Sequence, residues 1–108
     1  MPKTRDHAKK LAKKYAQLVS QFISVKEAYL FGSYADKKAK LHKWSDIDVA
    51  IISDDFEKMP IDLASKMLSK ATQGISTSIE PVPIPSSEMQ DPDIGTIGYT
   101  VAKHGLLL

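Results

Sequence analysis

The chain has 108 residues, room for one domain around one modest core. Hydrophobic residues make up 43% and charged residues 26%, an ordinary globular balance, and a net charge of +2 does not point to nucleic acid. The absence of cysteine excludes disulfides, thiolate metal sites and cysteine nucleophiles, and it fits a reducing cytosol. No apolar run approaches the roughly 20 residues of a membrane helix, and the basic first fourteen residues lack the apolar centre of a secretory signal. The expectation is a cytoplasmic single domain over residues 1–108 with no membrane association.

Ala8, Leu11, Tyr15, Leu18 and Phe22 recur at steps of three and four, which predicts a helix over 4–23 with those residues on its buried stripe. Lys9, Lys10, Lys13 and Lys14 mostly lie elsewhere. They form a solvated face, or a docking face for an acidic partner or nucleic acid. A short strand over 27–31 ends at Gly32-Ser33, and a short helix follows from Tyr34. Residues 36–44 are rich in lysine and read as a loop. Residues 47–53 read as a strand. Asp54-Asp55 turns the chain, and Pro60 suits the first turn of a second helix. That helix carries an apolar stripe of Leu63, Met67, Leu68 and Ala71, and Gly74 ends it.

Residues 75–84 read as a third strand. Pro81, Pro83 and Pro85 lack an amide hydrogen, which puts the C-terminal half of this strand at a sheet edge. Asp91-Pro92 reads as a cap and first-turn proline, opening a last helix that runs to about His104 and closes at Gly105. Leu106 to Leu108 either complete a strand or belong to a partner surface. The alternation of helices and strands argues an α+β or α/β layer structure.

The chemistry begins at Asp46 and Asp48. Two residues apart on a strand, they point to one face. Paired carboxylates repel unless a cation lies between them, and oxygen ligands select Mg²⁺ or Mn²⁺. A lone D-x-D arises by chance in on the order of one such chain in three, so the flanks decide. Ile47, Val49 and Ile51 form the apolar face of the strand, and the acid face continues with Ala50 and Ile52. On the third strand Ser76, Ser78 and Glu80 oppose Ile75, Thr77 and Ile79. If both apolar faces enter one core, Glu80 joins Asp46 and Asp48 on one side of the sheet. Three converging acids suit a two-metal site, and they equally suit an ordinary exposed polar face. Gly32-Ser33 could bring backbone amides and a hydroxyl to a phosphate, although as a dipeptide it reads as readily as a capped turn.

The run Leu30-Phe31-Gly32-Ser33-Tyr34-Ala35 followed by Trp44-Ser45-Asp46-Ile47-Asp48-Val49-Ala50 resembles the minimal nucleotidyltransferases of the polymerase-β-like superfamily. The flanks agree as well as the key residues. Glu80, within Ile79-Glu80-Pro81-Val82-Pro83, is similar to the family's third carboxylate, and the likeness covers nearly the whole chain. It implies an α+β fold of the polymerase-β-like kind, a small mixed sheet flanked by helices with an open acidic face. It implies that Asp46, Asp48 and Glu80 hold metal, two Mg²⁺ ions, and that Glu80 helps activate the attacking hydroxyl. Gly32 and Ser33 would hold the triphosphate of ATP. Of the loop lysines 37, 38, 40 and 43, Lys43 is assigned to the nucleotide, with a solvated loop as the alternative. Trp44 either stacks on the base or anchors its loop on the core.

The resemblance further implies transfer of a nucleoside monophosphate, AMP, to a hydroxyl. Single-domain members are commonly antitoxins paired with a HEPN-domain ribonuclease toxin and thought to modify a toxin tyrosine, so a hetero-oligomer with that partner is expected. Asp36 stands where many relatives carry a basic residue, and the spacer between Ser33 and Asp46 is about two residues longer than the commonest form. These departures keep open the alternative of a binding module that neutralises its partner by contact. Direct nucleic-acid binding ranks last, since no aromatic stacking surface is evident.

Overall fold

A computed structural model describes residues 4–36 and 46–108. Helix α1 (Arg5–Val19) starts where Thr4 accepts a hydrogen bond from the His7 amide at 3.1 Å, with Asp6 favourably placed in the first turn. Its buried stripe is Ala8, Ala12, Tyr15 and Val19: Ala8 and Tyr15 are buried as expected, while Ala12 and Val19 take the places of Leu11 and Leu18. Leu11 and Leu18 are half-buried, and Phe22 lies beyond the helix end, 59% exposed. Both stripes fit a 3.6-residue period. Small alanines let the helix lie close to the sheet, and hydrophobicity alone does not signal that.

Four strands follow: β1 (Val25–Phe31), β2 (Ile47–Ser53), β3 (Ile79–Pro85) and β4 (Leu106–Leu107). They form one mixed sheet in the order β3-β2-β1-β4. β1 runs antiparallel to β2 and β4, and β2 runs parallel to β3. The bounds of β2 are those expected, and the C-terminal leucines do complete a strand. The third strand begins later than expected, at Ile79. Residues 75–78 stay curled because the Ile75 and Ser76 amides donate to the Thr72 carbonyl at 3.0 and 2.8 Å.

The prolines do sit on an edge strand. The Ile47 amide donates to the Ser78 carbonyl at 2.9 Å, and this fixes the phase of the parallel ladder. Even-numbered residues of β3 turn their amides and carbonyls toward β2. Pro81, Pro83 and Pro85 therefore turn their main chain outward, where a missing amide breaks nothing.

Helix α2 (Ile61–Ala71) buries Ala64 and Leu68, whereas Leu63 is 56% exposed, against the expected stripe. The predicted single last helix is replaced by two short ones, α3 (Ser86–Gln90) and α4 (Ile97–His104). Asp91-Pro92 lies between them and caps neither N-terminus. Gly95 adopts φ +96, which no helix can include, and Thr96 takes over as the cap by accepting from the Tyr99 amide at 3.1 Å. Gly105 does close α4, its amide donating to the Val101 carbonyl at 2.8 Å.

The strands sort their side chains between two unequal cores. Ile47, Val49, Ile51 and Leu30 face α1 and α2 in the larger one. Ala50, Ile52 and Ile84 face Val101 of α4 in the smaller one. The large core is tied together at one polar point, where the buried Tyr15 hydroxyl donates to the Leu68 carbonyl of α2 at 2.7 Å. Burial also pushes the Tyr15 phenol far above its ordinary value, so it remains a donor. Tyr15→Phe leaves that buried carbonyl unpartnered and is expected to cost about 1–2 kcal/mol, read as a lower midpoint in chemical denaturation. Among the described residues no helix is long and apolar enough to cross a membrane.

Candidate functional site

The smaller core covers only part of its sheet face. Ala50 and Ile52 lie under α4, while Asp48, one step earlier on the same face, remains outside that cluster. Its in-register neighbour on β3 is Glu80, about 4.8 Å away between main chains as adjacent strands dictate. On its other side stands Phe31, the last residue of β1. The sheet therefore sets Asp48 and Glu80 side by side without help from any loop. Asp46 directly precedes β2 and is exposed, as is Glu80, whereas Asp48 is half-buried.

Gly32 completes this corner. After the extended Phe31 the chain turns through Gly32 at φ +72 into a single 3₁₀ turn, Gly32–Tyr34. The Ala35 and Asp36 amides donate to the Gly32 carbonyl at 3.1 and 3.2 Å. The Ser33 and Tyr34 amides have no acceptor within the turn, as at any helix start. A side chain at residue 32 would run into the Asp48 carboxylate: an ideal Cβ there overlaps Oδ2 and lies 3.1 Å from the carboxyl carbon. The glycine is needed twice, for its positive φ and for its bareness against Asp48.

Charge accumulates at this corner. Burial, then the neighbouring Asp46 and Glu80 carboxylates, push the Asp48 carboxyl up from 3.8 to about 6. Tyr34 lies fully buried behind the turn, and burial together with the Asp46 charge raises its phenol above the ordinary value. A carboxyl made uncomfortable by two other carboxylates is relieved by a cation. Among the described residues no three acids or imidazoles are gathered tightly enough to enclose a metal ion by themselves. Mg²⁺ rarely asks for that, since it keeps several waters and takes one or two carboxylates plus substrate phosphates. An open, all-oxygen donor set on an exposed sheet face fits such an ion.

The structure thus brings together Gly32, Ser33, Asp46, Asp48 and Glu80. Lys43, Trp44 and the other loop lysines lie outside the described residues. Two neighbours were not singled out from the sequence. Tyr34 belongs to the motif run but has no role assigned from the sequence, and it is fully buried behind the turn. Arg5 reaches from the first turn of α1 to donate to the Asp36 carbonyl at 2.7 Å, which brings a guanidinium to the chain just past the Gly-Ser turn. Nothing local marks Arg5, because its partner is 31 residues away.

Comparison with known proteins agrees with this geometry. The family described as "Polymerase beta, Nucleotidyltransferase" matches residues 13–80, a span that contains the Gly-Ser turn and all three acids. The chain belongs to this nucleotidyltransferase family. The fold is similar to a Sulfolobus solfataricus protein, provisionally assigned as a nucleotidyltransferase and determined at 1.40 Å resolution. The TM-score is 0.68 at 22% identity, covering 95% of this chain and 80% of that one. A search of curated proteins finds no significant match. General nucleotidyl transfer, with a nucleoside triphosphate and a divalent metal, is the activity of the family. The α+β sheet with its exposed acidic corner is the expected architecture.

Proposed function

We propose that this nucleotidyltransferase domain moves AMP from ATP to a hydroxyl, and that the acceptor is a tyrosine of a HEPN ribonuclease toxin for which the chain serves as antitoxin. The observation that carries the catalytic part is the single corner formed by Gly32, Asp48 and Glu80. The antitoxin part rests on the motif resemblance, in which small members of this superfamily pair with such toxins.

In this reading Gly32 and Ser33 hold the triphosphate through the turn's amides and the serine hydroxyl. Asp46, Asp48 and Glu80 hold Mg²⁺, two ions in the fullest form. Bound metal supplies positive charge to the phosphate oxygens and to the leaving group. Glu80, exposed at the rim, also draws the proton from the attacking hydroxyl. The hydroxyl oxygen forms its bond to the α-phosphorus as the bond to the bridging oxygen breaks, and pyrophosphate departs. Lys43 is assigned to that departing charge. Transfer takes place in the cytoplasm, within a complex of the two proteins.

The test mixes the protein with Mg²⁺, ATP and the product of the adjacent gene and reads intact mass. Gain of AMP units on the partner, lost in Asp46→Asn, is the expected result. A stable complex that silences the partner without nucleotide, and survives the Asp46→Asn, Asp48→Asn double variant, would replace transfer by neutralisation through contact. Label on the nucleotidyltransferase alone, or on a small molecule, would keep the transfer and discard the toxin as acceptor.

A further inference from the structure

The outer edge of β3 is unusual in what it offers a partner. Because Pro81, Pro83 and Pro85 turn their main chain away from β2, this edge presents carbonyl oxygens and no amide hydrogens. An incoming strand needs donors and acceptors in alternation, so the edge is closed to strand addition. A ligand that only donates suits it.

The edge is not simply capped by neighbouring side chains. A cleft of about 460 Å³ runs along it, with Pro81 and Pro83 among its lining residues. Ile61 at the start of α2 and Ile97 at the start of α4 form opposing walls, 61% and 48% exposed. Gathered at one cleft with the prolines, the two isoleucines give it an apolar lining that suits a flat or aliphatic group. Of the lining residues the ionisable one is Glu88. One of its oxygens, Oε2, accepts from the Gly98 amide at 2.9 Å, which fixes the carboxylate at the cleft.

We propose that this cleft binds an arginine side chain presented by a partner protein. Guanidinium carries five N–H donors and no acceptor, which complements an acceptor-only edge. Its planar head and aliphatic stem suit the space between two isoleucines. Its charge complements Glu88, the ionisable residue of the lining. Lysine has the charge without the planar fork, and a nucleic acid has the wrong sign. The cleft's lining on β3 begins at Pro81, next to Glu80, and includes Val82 on the same face as Glu80, so a segment seated there lies alongside the acidic corner. The proposal stands apart from the transfer reading, since binding is measured without nucleotide or metal.

The test is fluorescence anisotropy of the 108-residue chain with a short fluorescein-labelled peptide carrying one arginine between leucines. Saturable binding is expected, weakened about tenfold when citrulline replaces arginine and less when lysine does. Glu88→Gln retains an oxygen for the Gly98 amide while removing the charge, and Ile97→Ala removes one wall. Each is expected to weaken the peptide several-fold while circular dichroism stays unchanged. Equal binding of the citrulline peptide, no saturable binding of the arginine peptide, or equal binding by a valine-rich strand peptide would each overturn the proposal. So would unchanged affinity in both variants.

Discussion

Asp48→Asn is expected to lower nucleotidyl transfer on the order of 1000-fold, and at the same time to make the metal-free protein more stable near neutral pH. The two effects share one cause. Burial and the charges of Asp46 and Glu80 lift the Asp48 carboxyl from 3.8 to about 6, so its ionised form is disfavoured in the folded state. Below about pH 4 the group is protonated whether the chain is folded or not, and no penalty exists. Between about 4 and 6 the unfolded chain ionises at this group while the folded carboxyl still holds its proton, so folding loses stability across that window, and above about 6 the loss is complete. The loss is on the order of 1–2 kcal/mol once partial solvent exposure is allowed for. Asparagine keeps the shape and removes the charge, so the variant should melt about 5 °C higher near neutral pH and match the native protein in mild acid. Mg²⁺ should raise the native midpoint and leave that of Asp48→Asn nearly unmoved, because a cation relieves only a charge that is present. A variant that melts lower at neutral pH, or a native curve that does not fall between about pH 4 and 6, would show that the carboxyl is not under this load.

What the sequence disclosed depended on how local the controlling physics was. The bounds of β2 and the faces of its residues were legible because period-two alternation survives in an interior strand, whose two sides meet different cores. The edge position of β3 was legible because three prolines can lie only where no ladder needs their amides. Alternation through residues 75–78 gives Glu80 the right face although those residues are curled, because the register from Ile79 onward is independent of what precedes it. The α1 stripe is legible at Ala8 and Tyr15 and turns by one residue elsewhere, Ala12 and Val19 standing in for Leu11 and Leu18, because small side chains let a helix approach a sheet closely. The opening of the last helix was misread because Asp91-Pro92 and Thr96 are both good local start signals. Only the positive φ at Gly95 decides between them, and glycine does not announce which φ it takes. Arg5 and Tyr34 owe their places to tertiary contacts, which one sequence does not print. The Gly-Ser dipeptide carried little weight alone, and its meaning came from the contact with Asp48.

That contact supports the second large effect, Gly32→Ala. The smallest possible side chain meets two separate obstacles. At φ +72 an alanine costs about 1–2 kcal/mol from its own main chain. Its Cβ also overlaps the Asp48 oxygen, which cannot retreat freely because the sheet holds Asp48 between Phe31 and Glu80. The combined loss should be about 2–4 kcal/mol, a drop of at least about 8 °C in the thermal midpoint. Transfer should fall at least about 100-fold at temperatures where the variant is still folded, since the turn and the carboxylate can no longer occupy the same corner. The two obstacles separate in a double-mutant cycle. In an Asp48→Ala background the oxygen is gone and only the main-chain cost remains, so Gly32→Ala should then cost about 1–2 kcal/mol and no more. Equal costs in the two backgrounds would mean that the close approach of turn and carboxylate has no energetic weight, and that Gly32 serves its positive φ alone.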